Sequence, residues 1–328
     1  MARDDGRPLR IVVMGTGPFA VPLLEALLGS THEIVAVVTR PGHAPGGRRP
    51  PPNPIREAAL RAGLAILAPE RIGDPAAAAD LAALRPALLV VCDYGQILPA
   101  AILGLAPLGG LNLHGSLLPR HRGAAPVQWA IRAGDAVTGA SVIAMTPALD
   151  AGHVLAVATT PIGAAETAAE LEARLARLGA PLVLEAIERL RAAVEAGADP
   201  ATVGTPQDAA LATRAPRLTK ADGLVDWRQP AAAIERLRRA LEPWPRAATV
   251  WRRPGQAALR LVLDDVAVAA PVTAAPGTVL DAGPGRFVVA SGDGTAVEIL
   301  RLVPEGRRPM PAADFLRGHL LAPGTVLG

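Results

Sequence analysis

Three polar side chains suited to acyl transfer lie in two short stretches of this sequence. Asn112 and His114 fall in LNLHGSLLPRHRGAAPVQWAI, residues 111–131, and Asp150 follows in TPALDAGHV. Acyl transfer to an amine passes through a tetrahedral intermediate, so it needs a donor for the developing oxyanion and a group that takes a proton from the amine. An asparagine amide suits the first task and an imidazole suits the second.

Asn112 and His114 are expected on one face of a strand. Residues 110–114 have a buried-strand pattern, and strand side chains alternate between faces, so both residues point into one cleft. Asp150 is expected on a glycine-flanked loop after a strand at residues 140–145, where it orients the imidazole and stabilises its cationic form. In the alternative interpretation Asn112 caps a turn and His114 is a core histidine with local hydrogen bonds.

Strand and helix patterns alternate through the first half of the chain. Strands are predicted at residues 9–14, 33–38, 64–67, 87–91, 110–114 and 140–145. Helices are predicted at residues 21–28, 55–62, 76–84, 124–133 and 166–196. This alternation predicts an α/β fold with a doubly wound, mostly parallel sheet, which binds ligands beyond the carboxyl ends of its strands.

The pattern changes after a polar, proline-bearing stretch at residues 197–216, which is interpreted as a linker. Short strands separated by Gly and Pro turns are then predicted at residues 248–251, 259–268, 277–280, 287–291 and 296–302. They indicate a small C-terminal β-barrel, giving domains at residues 1–206 and 207–328. The second domain has 16 Lys and Arg against 12 Asp and Glu, while the first has 17 against 18, so the second is the favoured nucleic-acid face.

These motifs resemble a known family. Asn112, His114, the SLLP turn, the RGAAP run and LDAG are similar to the formyltransferase family that uses 10-formyltetrahydrofolate. RGAAPVQ, KADGLVDW, EPWPRA and PGTVL resemble the branch whose acceptor is methionyl-tRNA. The resemblance implies a Rossmann-like catalytic domain, an OB-like second domain that contacts tRNA, and formylation of the methionine amino group of initiator tRNA in translation initiation.

The same resemblance assigns roles to residues. It implies catalysis by Asn112, His114 and Asp150. The folate cosubstrate is expected against a turn and against the backbone of a second loop, which comprise Ser116, Leu117, Leu118, Pro119, Tyr94 and Gly95. For Tyr94 the alternative is an aromatic at the edge of the sheet. Relatives carry a small apolar residue where this chain has Asp93, and contact of that carboxylate with the pterin ring is an open alternative.

The proline-rich stretch RPGHAPGGRRPPPNP, residues 40–54, is predicted to be a loop. The family carries a basic loop here, which implies that Arg48 and Arg49 contact the tRNA acceptor stem. A tolerated surface insertion is the alternative. The usual Arg-Gly-Lys-Lys is replaced by Gly-Gly-Arg-Arg and the loop is one residue shorter, so which arginine makes the principal contact is left open.

The composition argues against a disulfide-rich, a metal-binding or a membrane-spanning protein. The single cysteine, Cys92, rules out an internal disulfide framework, and no metal site is expected. The charged amino terminus and the lack of 18 consecutive apolar residues predict a cytoplasmic protein without a membrane segment, and a monomer is expected.

The sequence motifs also allow three other functions. GTGPFA, residues 15–20, fits G-x-G-x-x-A between a strand and a helix, so a nicotinamide-dependent oxidoreductase is the alternative to a structural turn, with Arg40 available for a 2′-phosphate. An amino-sugar nucleotide as formyl acceptor would use the same chemistry. A hydrolase that releases formate is disfavoured because it needs no basic second domain.

Overall fold

The computed structural model describes residues 8–42, 52–253, 255–283 and 286–328. They form two compact units. The described residues of Met1–Pro126, Val137–Pro161 and Leu171–Pro216 form the first, and those of Val127–Ala136, Ile162–Glu170 and Arg217–Gly328 form the second. The main division therefore falls ten residues later than the predicted boundary at 207, because residues 203–216 hydrogen-bond to loops and strands of the first unit. The separation of functions between the domains stays a prediction.

A seven-stranded sheet is the centre of the first unit. Its strands are β1 (Arg10–Gly15), β2 (Glu33–Val38), β3 (Ile66–Leu67), β4 (Leu88–Cys92), β5 (Gly110–His114), β6 (Val137–Ala144) and β7 (Val154–Pro161). The order is β3-β2-β1-β4-β5-β6-β7, with β1 to β5 parallel and β6 and β7 antiparallel. The predicted doubly wound, mostly parallel sheet is confirmed, whereas β7 was not predicted.

Helices follow the strands as expected of alternating β and α elements. They are α1 (Val21–Leu28), α2 (Pro54–Arg61), α3 (Pro75–Ala83), α4 (Ala100–Leu103), α5 (Pro126–Ala133) and α6 (Ala168–Glu195). The sequence sets their starts: α2 begins with proline after Asn53, whose side chain accepts from the Arg56 amide at 3.1 Å. Apart from Arg10 at the start of β1, the strands β1 and β4 are buried and apolar, as central parallel strands are when both faces are covered.

The second unit contains a curled antiparallel sheet. Its elements are α7 (Ala231–Ala240), β8 (Ala248–Trp251), β9 (Leu259–Ala269), β10 (Val279–Asp281), β11 (Val288–Ala290), β12 (Ala296–Pro304), β13 (Met310–Pro311) and α8 (Ala312–Gly318). The sheet order is β10-β11-β12-β9-β8, with β13 on β12. The C-terminal tail joins its edges, since Val279 N–H donates to Thr325 O at 2.8 Å and Gly328 N–H to Val250 O at 2.9 Å. This confirms the small barrel-like domain.

Candidate active site

The carboxyl end of β5 and the loop between β6 and β7 bring three polar side chains together. Asn112 Nδ2 donates to Asp150 Oδ1 at 3.4 Å, and His114 Nδ1 lies 3.8 Å from Asp150 Oδ2. The side chains of His114 and Asp150 are only 6% and 11% exposed. Asn112 and His114 therefore lie on one face of β5, as expected. Both are next to the Asp150 carboxylate, which the interpretation of Asn112 as a turn cap and His114 as a core histidine does not explain.

The second contact of His114 fixes where its hydrogen lies. His114 Nε2 is 2.9 Å from the backbone oxygen of His121, and a carbonyl oxygen can only accept, so Nε2 is the donor. In the neutral ring the lone pair is then on Nδ1, the nitrogen that faces Asp150. A proton that arrives on Nδ1 is placed beside a carboxylate. This is the arrangement that a general base requires.

Asp150 is held by backbone as well as by side chains. Its Oδ2 accepts from the Gly123 amide at 2.8 Å, and its φ of 48° lies in the left-handed region. Non-glycine residues in that region are uncommon and persist where surrounding contacts hold them. The RGAAP run that contains Gly123 thus contributes to the site through a main-chain hydrogen bond to the carboxylate.

The SLLP turn after β5 is organised by its own serine and by β6. Ser116 is fully buried, and its Oγ donates to Arg120 O at 2.6 Å. Ser141 Oγ donates to Ser116 O at 2.7 Å and accepts from Leu118 N–H at 3.2 Å. The Ser116 hydroxyl is therefore used in shaping the turn. A folate contact of Ser116, Leu117, Leu118 and Pro119 stays a prediction.

The Tyr94–Gly95 loop follows β4, next to β5 in the sheet. Tyr94 is 2% exposed and packs among Val12, Met14 and Val91, so its interpretation as an edge aromatic is wrong. Burial raises the pKa of Tyr94 to about 12, and its hydroxyl is buried without a hydrogen-bond partner among the described residues. Tyr94 can therefore contact a ligand only through its backbone, and the next residue, Gly95, accepts from Arg40 Nη2 through its backbone oxygen at 3.3 Å.

The glycine turn after β1 has a carboxylate against it. A Cβ placed on Gly17 would lie 1.9 Å from Asp93 Oδ2, so the Asp93 side chain lies directly on the Gly17 backbone. In dinucleotide-binding folds this turn faces the pyrophosphate, and a fixed carboxylate there repels phosphate. This contact supports the structural interpretation of the GTGPFA turn against the nicotinamide one.

Arg48 and Arg49 fall outside the described residues, so the structure gives no account of them. Within the described ranges, no group of three His, Cys, Asp or Glu residues is arranged to hold a metal ion. No helix in that part of the chain is both long and apolar enough to cross a membrane.

The supposed linker contains residues near the site that the sequence did not indicate. Gln207 Nε2 donates to Asp150 O at 2.9 Å and to Gly152 O at 2.7 Å, and Thr213 Oγ1 accepts from the His121 amide at 2.8 Å. Residues 197–216 lack a helix or strand period, so no sequence signal identified these contacts.

The fold and this cluster define an α/β group-transfer enzyme, and sequence comparison gives its family. A family described as formyl transferase matches residues 9–187, and one described as formyl transferase, C-terminal domain, matches residues 217–320. The chain belongs to the formyltransferase family and is a formyl-transferring enzyme.

Relatives agree with this assignment, and a solved structure shares the fold. The chain is 43% identical to the methionyl-tRNA formyltransferase of Roseiflexus castenholzii, over 98% of this chain and 99% of the relative. It is 45% identical to the enzyme of that name from Rhodopirellula baltica, over 97% and 96%. The fold is similar to an N-formyltransferase from Helicobacter canadensis in complex with folinic acid and dTDP-3-aminofucose, with a TM-score of 0.62, 13% identity and coverage of 89% and 98%.

Proposed function

We propose that this protein transfers the formyl group of 10-formyltetrahydrofolate to the α-amino group of methionine on initiator tRNA. The observation that carries the proposal is the similarity of nearly the whole chain, both domains included, to methionyl-tRNA formyltransferases. The cluster of buried His114 with half-buried Asn112 and Asp150 supplies the groups that acyl transfer to an amine needs.

His114 acts as the base in the proposed reaction. The methionine nitrogen attacks the formyl carbon, and a proton passes from that nitrogen to His114 Nδ1. Asp150, 3.8 Å away, stabilises the imidazolium. Asn112 Nδ2 donates to the oxyanion, a contact typically worth about 10²–10³ in rate. When the carbon–nitrogen bond to the donor breaks, the proton goes to the departing nitrogen and the ring returns to neutral.

Substrate binding is divided between sequence regions. The folate donor lies between the turn of Ser116, Leu117, Leu118 and Pro119 and the backbone at Tyr94 and Gly95, beyond the carboxyl ends of β5 and β4. The tRNA is bound by Arg48, Arg49 and the basic second domain, whose net charge of +4 attracts phosphates.

An amino-sugar nucleotide is the second candidate acceptor, because a structural neighbour was solved with such a molecule. Incubation of the purified protein with 10-formyltetrahydrofolate and either methionyl-tRNA or an amino-sugar nucleotide tests the two. The proposal expects N-formylmethionyl-tRNA, with formate release no faster than in the absence of acceptor. Formylation of the sugar alone, or formate release alone, would overturn it.

A further inference from the structure

Residues 203–216, the connecting segment, are hydrogen-bonded to the rest of the first unit on both sides of the acid–base cluster. Next to the Asp150 loop, Val154 and Thr205 exchange two backbone hydrogen bonds of 2.8 and 2.9 Å. On the other side, Arg122 N–H donates to Thr213 O at 2.9 Å and Ala215 N–H donates to Arg122 O at 2.7 Å. Through these contacts the segment packs directly against the loops that carry the residues of the site.

Two glycines make this close approach possible. A Cβ on Gly123 would lie 2.4 Å from Ala215 O, and one on Gly204 would lie 2.6 Å from Val154 O. Both residues have positive φ, at 130° and 111° respectively. Side chains at either position would force the segment away from its partner, so the local sequence is fitted to the contact.

Gln207 uses its whole amide group. Its Nε2 donates to the backbone oxygens of Asp150 and Gly152, and its Oε1 accepts from Arg122 Nη2 at 2.7 Å and Nε at 3.1 Å. The two carbonyl groups flank the turn in which Asp150 has its left-handed conformation. Gln207 thus secures the backbone on which the carboxylate is mounted.

Thr213 secures the opposite side of the imidazole. Its Oγ1 accepts from the backbone amide of His121 at 2.8 Å, and His121 O is the acceptor for His114 Nε2. His121 also has a left-handed backbone, with φ of 60°. The two partners of the His114 ring, Asp150 and His121, therefore both have an uncommon backbone conformation. A side chain of the connecting segment holds each of them in that conformation.

We propose that Gln207 and Thr213 are positioning residues for formyl transfer, which hold Asp150 and the His121 carbonyl at the distances that keep His114 ready to accept a proton. The assignment rests on the proposed function for its reaction. Its structural part, that Gln207 fixes the Asp150 turn, does not depend on which acceptor is used.

The substitution Gln207→Glu distinguishes the role of Gln207 in holding the Asp150 turn from its hydrogen bonds with Arg122. A glutamate still accepts from Arg122, but it presents an oxygen to the Asp150 and Gly152 carbonyls and so loses both donors. We expect kcat to fall by about 10- to 100-fold, as for other small displacements of catalytic groups, with both KM values within about threefold of wild type. Gln207→Ala should behave similarly.

Thr213→Val and Thr205→Val form a matched pair. Thr213 uses its hydroxyl on His121, whereas Thr205 is bound through its backbone, so only the first substitution should lower kcat. Thermal melting and circular dichroism confirm folding of each variant. If Gln207→Glu does not fold, Thr213→Val decides.

Hydrogen exchange gives a readout independent of the acceptor. The Gly123 amide donates to Asp150 Oδ2, so its protection should fall in Gln207→Glu and stay unchanged in Thr205→Val. A wild-type enzyme inactive on methionyl-tRNA would refute the proposed function while exchange still decides the positioning role. The positioning role would be overturned if a folded Gln207→Glu or Thr213→Val variant kept both the wild-type kcat and the wild-type protection of the Gly123 amide. A variant in which only KM changes would also overturn it.

Discussion

Replacement of Asp150 by asparagine is the sharpest test of the acid–base cluster. The substitution preserves size and leaves an oxygen that can accept from Gly123 N–H, but it removes the charge next to His114 Nδ1. Folding and folate binding should therefore change little, while the imidazolium formed during transfer loses its stabilising partner.

The distance sets the size of the effect. Two unit charges 3.8 Å apart interact by about 4 kcal/mol at an effective dielectric constant of about 20. At about 1.4 kcal/mol for each factor of ten, this corresponds to a loss of up to about 10³-fold in the rate of formyl transfer. Because the asparagine amide still provides a dipole, we expect kcat to fall by about 10²- to 10³-fold.

Single-turnover transfer to methionyl-tRNA measures the chemical step, and calorimetry with a non-transferable folate analogue measures binding. Asp80→Asn, which removes an exposed carboxylate on α3, is the charge-matched control and should be as active as wild type. A folded Asp150→Asn enzyme that binds folate normally and transfers formyl within about fivefold of the wild-type rate would refute the electrostatic reasoning.

Three further predictions concern other parts of the chain. Replacing Arg48 and Arg49 by alanine should raise the KM for tRNA. It should also reduce the slope of log binding constant against log salt concentration by up to about two units. An unchanged slope would favour the interpretation of the loop as a tolerated surface insertion. Tyr94, the sole tyrosine, should titrate by ultraviolet absorbance near its pKa of about 12. Burial raises this pKa above the unfolded value of about 10, so the contribution of Tyr94 to stability is present below about pH 10 and is lost as the pH rises through about 12. Tyr94→Phe should remove that loss of stability at high pH. Titration of Tyr94 near pH 10 would contradict its burial. Fragments of residues 1–216 and 1–206 should both bind folate, and both should formylate methionyl-tRNA poorly because neither has the basic second domain; the shorter one should be the slower, since it lacks Gln207 and Thr213. Circular dichroism must first establish that each fragment folds, and full kcat/KM in the longer fragment would favour the amino-sugar acceptor.

The sequence predicted those parts of the fold that have a strong period. Strands β2 and β5 and helix α1 occur at the predicted residues, and the period of two placed Asn112 and His114 on one face. Strand β7 was missed because it lies at the edge of the sheet and alternates only weakly between buried and exposed residues. Helix α7 was missed because the surrounding Gly and Pro turns favoured short strands, although its Ala, Leu and Arg residues are good helix formers.

The contacts of Gln207 could not be predicted in this way. Its partner Asp150 is 57 residues away, and its hydrogen bonds go to backbone oxygens, which carry no signal in the residue type. The same is true of the Gly123 amide that binds Asp150. Side-chain chemistry identified the reacting groups, while the elements that hold them became apparent only from the folded chain.

The position of the connecting segment also sets an order of events during synthesis. The ribosome makes the chain from its amino terminus, so β5 and the Asp150 loop emerge well before Gln207 and Thr213. On a nascent chain the proton acceptor and its carboxylate are therefore present but not yet secured. The hydrogen bonds described around them have all their partners within residues 112–215, so the site can close once that stretch has left the tunnel, before the end of the second unit has emerged.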